Sequence, residues 1–463
     1  MTITVKDSRK LDINYRYLHG SVEPLMANAG QAVAEEIIRH FPDARSILIF
    51  CGSGNKAGDS IFAAKSLGSR MDVRIFFMKG EESIHSDYVR NALRSITFQK
   101  VSGKALPDEI ENADILMDGL LGTGLKGDPS PEYSDIIRMI NDSGKPVISV
   151  DVPSGAGSKI SVRPEFTVAM HSIKAIPGYK YPGEVIVKDI GFENGFENVV
   201  GPGDFLSYIL PDKNSHKGQN GVLGIVAGFE FPGAAIVSAL GAEKIGVDLI
   251  RIYTKHIHAG LVQGYSPFLI TRDIEDLKGI EKSTALLIGP GMGLSVDFKH
   301  VFQDLLSLDI PTVIDADAIR IIPLLSYKRS KPLLITPHSA EFKALTGLDA
   351  SESTLLDYSR KTRNIVILKG PMDLISDGNV IARSSGGNAR MTMGGTGDLL
   401  AGISASLLSK GIAPFEAAKL ASFINKKTGE MCFDDRKYWF TIMDMVEKIQ
   451  DVMNWLDAFC HGN

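Results

Sequence analysis

Short apolar runs that close on glycine or a polar side chain recur along this chain and alternate with stretches of helical spacing. Ser46-Ile-Leu-Ile-Phe50, Val73-Arg-Ile-Phe-Phe77, Ile115-Leu-Met-Asp118 and Pro146-Val-Ile-Ser-Val-Asp151 read as strands, the uninterrupted ones as strands covered on both faces. Leu25 to His40, with Met26, Ala29, Val33 and Ile37 on one face, and Asp135 to Ile140 read as helices. Such alternation predicts a parallel, doubly wound sheet. Between Phe192 and Asp212 the texture changes, with Gly195, Gly201, Pro202, Gly203 and Pro211, and then the alternation starts again. Gly221 to Val226, Leu249 to Tyr253, Leu286 to Gly293, Val313 to Asp317, Leu334 to His338 and Ile365 to Gly370 supply further strands, with a helix over Gly233 to Gly246. A chain of 463 residues exceeds what one core organises. The expected fold is therefore α/β, in two doubly wound domains spanning 1–205 and 206–463.

Composition narrows the partners. With 44% hydrophobic and 23% charged residues and a net charge of −5, the basic residues dispersed, neither a nucleic-acid track nor a membrane patch is expected. No stretch reaches the roughly 18 uninterrupted apolar residues of a span, and Met1 to Lys10 does not lead into a signal-like apolar segment, so a cytoplasmic protein acting on small molecules is expected. A homo-oligomeric assembly is also expected. Cys51, Cys432 and Cys460 are far apart and odd in number, which argues for free thiols and against a disulfide framework or a cysteine zinc site.

Gly394-Gly-Thr-Gly-Asp398, followed by apolar Leu399 to Ile403, has the form of an anion site. Glycines let several backbone N–H groups converge, and the following helix turns its positive end to the same point. Asp398 there is placed to take a proton from a hydroxyl attacking a phosphate; the plainer reading is a helix cap on a glycine turn. Lys369, directly after an apolar run, is positioned to neutralise a nucleotide phosphate, and His338 closes another run; each has an ordinary surface reading as well. Asp315 and Asp317 would suit magnesium through water or simply a polar loop.

In the first half, Cys51-Gly-Ser-Gly-Asn-Lys-Ala-Gly-Asp59 lies between a strand and a helix, although its spacing is neither a dinucleotide fingerprint nor a Walker loop. Asn55, Asp118 with Gly122-Thr-Gly124, and Asp151 with Ser154 all fall at strand ends, where ligands of such sheets bind.

The residues Gly54-Asn55-x-x-Gly58-Asp59, Asp118-Gly-Leu-Leu-Gly-Thr-Gly124 and Asp151-Val-Pro-Ser-Gly155 resemble the NAD(P)H-hydrate epimerase family, which has a Rossmann-like fold. The resemblance implies that Asn55, Asp118 and Ser154 ligate potassium. It implies hydrate-binding positions at Gly54, Asn55, Lys56, Ala57, Gly58 and Asp59, at Gly122, Thr123, Gly124, Leu125, Lys126, Gly127 and Asp128, and at Asp151, the expected acid/base. The sequence departs from the family at Lys56-Ala57 and Ser60, where Asn-Gly and Gly are usual; a lysine beside the expected cation either repels or replaces it.

Phe231-Pro-Gly-Ala-Ala235, Gly289-Pro-Gly-Met-Gly293, Thr336-Pro-His338, Leu368-Lys-Gly370, Gly387-Asn388 and Gly394 to Asp398 resemble the ADP- or ATP-dependent NAD(P)H-hydrate dehydratases, whose fold is ribokinase-like. That resemblance implies hydrate contacts at Ala234, Gly293, His338 and Asp398 and nucleotide contacts at Lys369, Gly370, Gly395, Thr396 and Gly397. Asp398 is then the catalytic base, ADP or ATP the co-substrate and magnesium the ion bridging its phosphates. Ser339-Ala340 and Ala389-Arg390 stand where Pro-Gly is usual. Both halves together imply repair of hydrated nicotinamide dinucleotides. The alternatives are a ribokinase-like small-molecule kinase and, for the first domain, a non-catalytic binding module.

Overall fold

The computed structural model describes residues 2–294 and 299–462, which form two compact units dividing between Phe196 and Glu197. That division falls inside the glycine- and proline-rich stretch read as a junction, most of which belongs to the second unit: its turn Pro202–Ser207 packs on the helices Pro414–Arg436 and Ile442–His461. Among the described residues no helix is long and apolar enough to cross a membrane. Cys51, Cys432 and Cys460 are buried and none of them is in a disulfide.

In the amino-terminal unit seven parallel strands run across the sheet in the order Gln99–Lys100, Asp72–Phe77, Ser46–Cys51, Ile115–Gly119, Val147–Val150, Phe166–Met170 and Glu184–Lys188. Ile47, Leu48, Ile49 and Phe50 are wholly buried because helices cover both faces, which is why that segment reads as an unbroken apolar run. Asp72–Phe77, nearer the edge, buries only alternate residues. The strand order reverses between Ser46–Cys51 and Ile115–Gly119, and the crevice at such a reversal is where this architecture binds ligands. One feature has no strong sequence signal: Thr2–Thr4 pairs in parallel with Ile173–Ala175, and the helix Val5–His19 follows, with Thr4 Oγ1 accepting the Asp7 N–H at 3.0 Å as its cap.

The carboxy-terminal unit carries a nine-stranded sheet in the order Leu269–Asp273, Leu249–Thr254, Val222–Val226, Ala285–Ile288, Thr312–Ile314, Leu333–Ile335, Ile365–Leu368, Asp373–Ser376 and Ile381–Ser384. The first seven are parallel; Asp373–Ser376 pairs antiparallel with the seventh, and Ile381–Ser384 pairs antiparallel with Asp373–Ser376. Its reversal lies between Val222–Val226 and Ala285–Ile288, and the loops beyond these strands are joined by Gly228 N donating to Pro290 O at 2.9 Å and Phe231 N to Gly291 O at 3.0 Å. The helices Pro232–Lys244 and Thr396–Ser409 pack together above this point.

Candidate functional sites

A cavity of about 810 Å³ opens at the reversal point of the amino-terminal sheet. Ser53 to Lys56, Asp59, Leu120 to Lys126 and Asp151 line it, so three successive strand ends converge as their sequence implies. The rest of the expected set faces elsewhere. Ala57 and Gly58 are buried behind the helix start, Gly58 against Met26, and Asp128 is drawn to the surface, where Lys159 Nζ lies 3.1 Å away. Gly127, at φ 79°, makes the turn beside it and does not line the cavity.

Asp151 sits at φ 61°, a conformation uncommon for residues other than glycine, and is held there by its surroundings. Its N–H donates to Val168 O at 2.8 Å, and its Oδ1 accepts from Met170 N at 3.1 Å and from the buried Lys174 ammonium. Asp59 and Asp12 complete an acidic group around it. Desolvation, then the Asp151 charge, pushes Asp59 well above the usual carboxylate range. Asp12 keeps a solvent face yet has protein on most sides; that desolvation and Asp151 raise it to about 7. Asp12 and Lys174 were not picked out from the sequence. They arrive on the first helix and on the short strand that pairs with the amino terminus, elements without a glycine loop to flag them.

Asp118 and Ser154 do come together, around the Lys56 ammonium. Lys56 Nζ donates to Val152 O at 2.7 Å, Asp118 Oδ2 at 3.0 Å, Ser154 Oγ at 3.0 Å and Leu121 O at 3.2 Å. Asp118 is wholly buried and also accepts from Ser149 Oγ and Ser154 N, both at 2.8 Å, and from the Ser154 hydroxyl. Burial draws Lys56 below the usual lysine value while Asp118 opposes it. Asn55 lies exposed in the first helical turn and is not among the partners of this ammonium. The oxygens expected to hold a monovalent cation are thus already committed to a side chain, and the residues present do not fit a separate potassium ion.

In the carboxy-terminal unit the expected residues gather at the ends of three neighbouring strands and one helix. The helix Thr396–Ser409 starts after Gly395, which adopts φ 98°, so Thr396, Gly397 and Asp398 form its first turn and not a loop before it. No side-chain hydrogen bond caps that start, so Asp398 is not the cap of the plainer reading. A Cβ on Gly397 would lie 3.3 Å from Lys369 Nζ, which shows how closely the lysine approaches the positive helix end. Lys369 Nζ lies 3.0 Å from Asp315 Oδ1 and 3.6 Å from Glu341 Oε2. Although burial works against its charge, these two carboxylates hold Lys369 above the ordinary lysine value. Half-buried Asp398 is pushed up to about 7 by desolvation and by Asp315, with Lys369 pulling the other way.

The remaining positions are more committed than the sequence suggests. His338 caps the helix Ser339–Thr346, its Nδ1 accepting from Ala340 N at 3.1 Å and Glu341 N at 3.3 Å, with Nε2 3.5 Å from Glu341 Oε1. Thr396 Oγ1 donates to Met391 O at 2.8 Å, and Gly370 N to Asp373 Oδ1 at 3.0 Å. Gly293 N donates to Asp317 Oδ2 at 2.8 Å, and Ala234 lies in the first turn of Pro232–Lys244 at the reversal point. Asp315 is 1% exposed and accepts from Thr336 Oγ1 at 2.7 Å. Among the described residues no group of three or more His, Cys, Asp or Glu side chains is arranged to hold a metal.

Fold and sites together define a Rossmann-like unit followed by a ribokinase-like unit. Comparison with known proteins gives the family. The profile described as YjeF-related protein N-terminus matches residues 22–176 and that described as NAD(P)H-hydrate dehydratase matches 223–451. The bifunctional NAD(P)H-hydrate repair enzyme of Archaeoglobus fulgidus is 34% identical, over 97% of this chain and 98% of its own. Its counterpart from Methanothermobacter thermautotrophicus is 33% identical, over 97% and 94%. Among solved structures, the ADP/ATP-dependent NAD(P)H-hydrate dehydratase from Bacillus subtilis, co-crystallised with ATP and Mg2+, aligns with 99% of its length and 56% of this chain at TM-score 0.51 and 24% identity. A ribokinase-like protein from Enterococcus faecalis aligns over 96% of its length and 56% of this chain at TM-score 0.52 and 22% identity, a likeness of fold. The chain belongs to the family of bifunctional NAD(P)H-hydrate repair enzymes.

Proposed function

We propose that the enzyme interconverts the R and S hydrates of NADH and NADPH in its first unit and dehydrates the S form in its second, at the expense of ADP or ATP. The observation that carries the second reaction is Asp398, held in the first turn of a helix near Lys369 with its carboxyl raised to about 7. A carboxylate with that affinity is half ionised near neutrality, which suits a general base. In this reading Asp398 removes the proton of the ring hydroxyl as its oxygen attacks the terminal phosphorus of the nucleotide. Lys369 and the backbone N–H groups at the helix start stabilise charge on the transferred group; one well-aimed donor of this kind is worth about 2.7–4 kcal/mol. Phosphate then leaves with the C–O bond pair, pushed out by the ring-nitrogen lone pair, and the neighbouring ring carbon gives up a proton to water, restoring the ring double bond of the dinucleotide; phosphate departs more readily than hydroxide. Magnesium, arriving with the nucleotide, would screen its phosphate charge.

For the first reaction the support is the acidic group facing the cavity, with Asp151 as the proton-transferring residue. Asp59 lines the same cavity, its carboxyl pushed well above the usual carboxylate range by desolvation and by the Asp151 charge.

The test is incubation with mixed NADH hydrates plus ADP or ATP. Return of reduced-nicotinamide absorbance with stoichiometric phosphate release is expected. A stable phosphorylated alcohol, with no dinucleotide regained, would instead mark a small-molecule kinase.

A further inference from the structure

We infer that the Lys56 side chain is a built-in cation: its ammonium stands where a free monovalent ion would otherwise bind between the ends of two strands, so the first unit needs no potassium. The geometry is that of a coordination sphere. Two backbone carbonyls, Val152 and Leu121, one carboxylate, Asp118, and one hydroxyl, Ser154, surround Nζ at 2.7 to 3.2 Å. Carbonyl and carboxylate oxygens are acceptors only, so three N–H donors and a positive charge satisfy this set better than a neutral amine, whose lone pair would face an oxygen. The ammonium group resembles potassium in charge and size, and oxygen ligands of this type serve such a hard cation equally well.

The consequence for structure follows from where those oxygens lie. Asp118 is on the strand Ile115–Gly119 and Leu121 just beyond it, while Val152 and Ser154 follow the strand Val147–Val150. Lys56 is in the first turn of the helix Asn55–Leu67. One side chain therefore ties the helix to two neighbouring loops, both of which wall the cavity or adjoin Asp151. Leu121 N also donates to Ser154 Oγ at 2.8 Å, closing the ring. A tethered ammonium cannot be diluted out, whereas an ion can. Ser60 supports the arrangement from below, its hydroxyl donating to Lys56 O at 2.8 Å.

This inference rests on the epimerase reading only for its kinetic readout; thermal unfolding tests it independently. The purified full chain is compared in choline chloride and in potassium chloride at equal ionic strength. The parent is expected to show the same melting temperature and the same R-to-S exchange rate in both. Lys56→Asn, which vacates the oxygens, is expected to melt lower and exchange more slowly in choline and to recover both specifically in potassium; Lys56→Gln serves the same purpose if the shorter variant does not fold. A potassium-specific rise of melting temperature or exchange in the parent overturns the inference, and so does a folded variant that ignores potassium by both readouts. If the parent exchanges hydrates in neither salt the epimerase reading fails, while the melting temperatures still decide the cation's identity.

Discussion

Lys369 reaches across one strand of the carboxy-terminal sheet to place Nζ 3.0 Å from Asp315 Oδ1. The two residues follow Ile365–Leu368 and Thr312–Ile314, and between them runs Leu333–Ile335, whose succeeding Thr336 donates to the same carboxylate oxygen. Asp315 is almost wholly buried, so the ammonium is both its counter-charge and, in the proposed mechanism, a group offered to nucleotide phosphate.

Removing the lysine alone should therefore harm folding and catalysis together. Lys369→Met leaves Asp315 without its counter-charge, and breaking such a buried pair costs about 3–5 kcal/mol. Asp315→Asn on that background should return much of the stability but none of the nucleotide-dependent rate. Urea unfolding of the parent, both single variants and the double variant measures the coupling. Full activity of the double variant would remove Lys369 from phosphate binding.

The amino-terminal site allows a separable test. Asp151→Asn keeps the side chain's size and one acceptor for Met170 N while removing the carboxylate paired with Lys174. R-to-S exchange should fall by about 10²–10⁴-fold, the usual cost of losing an acid/base group. Dehydration of pure S hydrate should be unchanged, because that reaction belongs to the other unit. Exchange at the parental rate would return Asp151 to a purely structural role, that of holding a strained turn.

Much of this was legible in the sequence where burial imposes an unmistakable pattern. Strands such as Ser46–Cys51 and Ile365–Leu368 are covered on both faces and so appear as continuous apolar runs, and the glycine and acidic residues at their ends mark the binding side of the sheet. Glu184–Lys188 and the hairpin of Asp373–Ser376 with Ile381–Ser384 carry polar or half-exposed residues and were not singled out; Phe166–Met170, buried throughout, was also missed, its apolar run being short and interrupted by Thr167. The sites divide in the same way. Asp398, Lys369 and Asp151 stand beside glycines or strand ends, but Asp12, Lys174 and Glu341 reach their sites through tertiary packing alone. Lys56 stands out in the sequence as a lysine in a glycine loop. That two of its four oxygen partners are backbone carbonyls is visible only in the fold, since any residue type supplies those.

Packing behind the dehydratase site should be intolerant of a single methyl group. A Cβ on Gly402 would stand 2.1 Å from Ser238 O and 2.8 Å from Ser238 Cα, backbone atoms of the helix Pro232–Lys244. Because backbone cannot rotate aside, Gly402→Ala must push the helices apart, at about 1–3 kcal/mol by analogy with other overpacked cores. The same shift would disturb the bond from Ser238 Oγ to Asp398 O, now 2.9 Å, so dehydration should fall more than exchange. Thermal unfolding with both activity assays measures it, and an unchanged melting temperature would show that the helix contact yields freely.

Asp398 gives the most specific expectation, because its raised affinity for protons has opposite consequences for rate and stability. As a general base it acts only when ionised, so dehydration by the parent should climb with pH and level off above about 7, the value to which burial and Asp315 push it. For stability the sign runs the other way. A carboxyl whose native pKa lies above its unfolded value of about 3.9 contributes stability that is complete below the unfolded value and is lost as pH rises through the native one. Asp398→Asn cannot ionise, so above pH 7 it should melt no lower than the parent while its dehydration rate drops about 10²–10⁴-fold. Its residual rate should also lose the rise near neutrality. Kinetics with S hydrate and saturating ADP, alongside melting curves from pH 5 to 9, decide the matter. A rate within about tenfold of the parent, smaller than the least effect usual for removing a base, would exclude Asp398 from proton transfer.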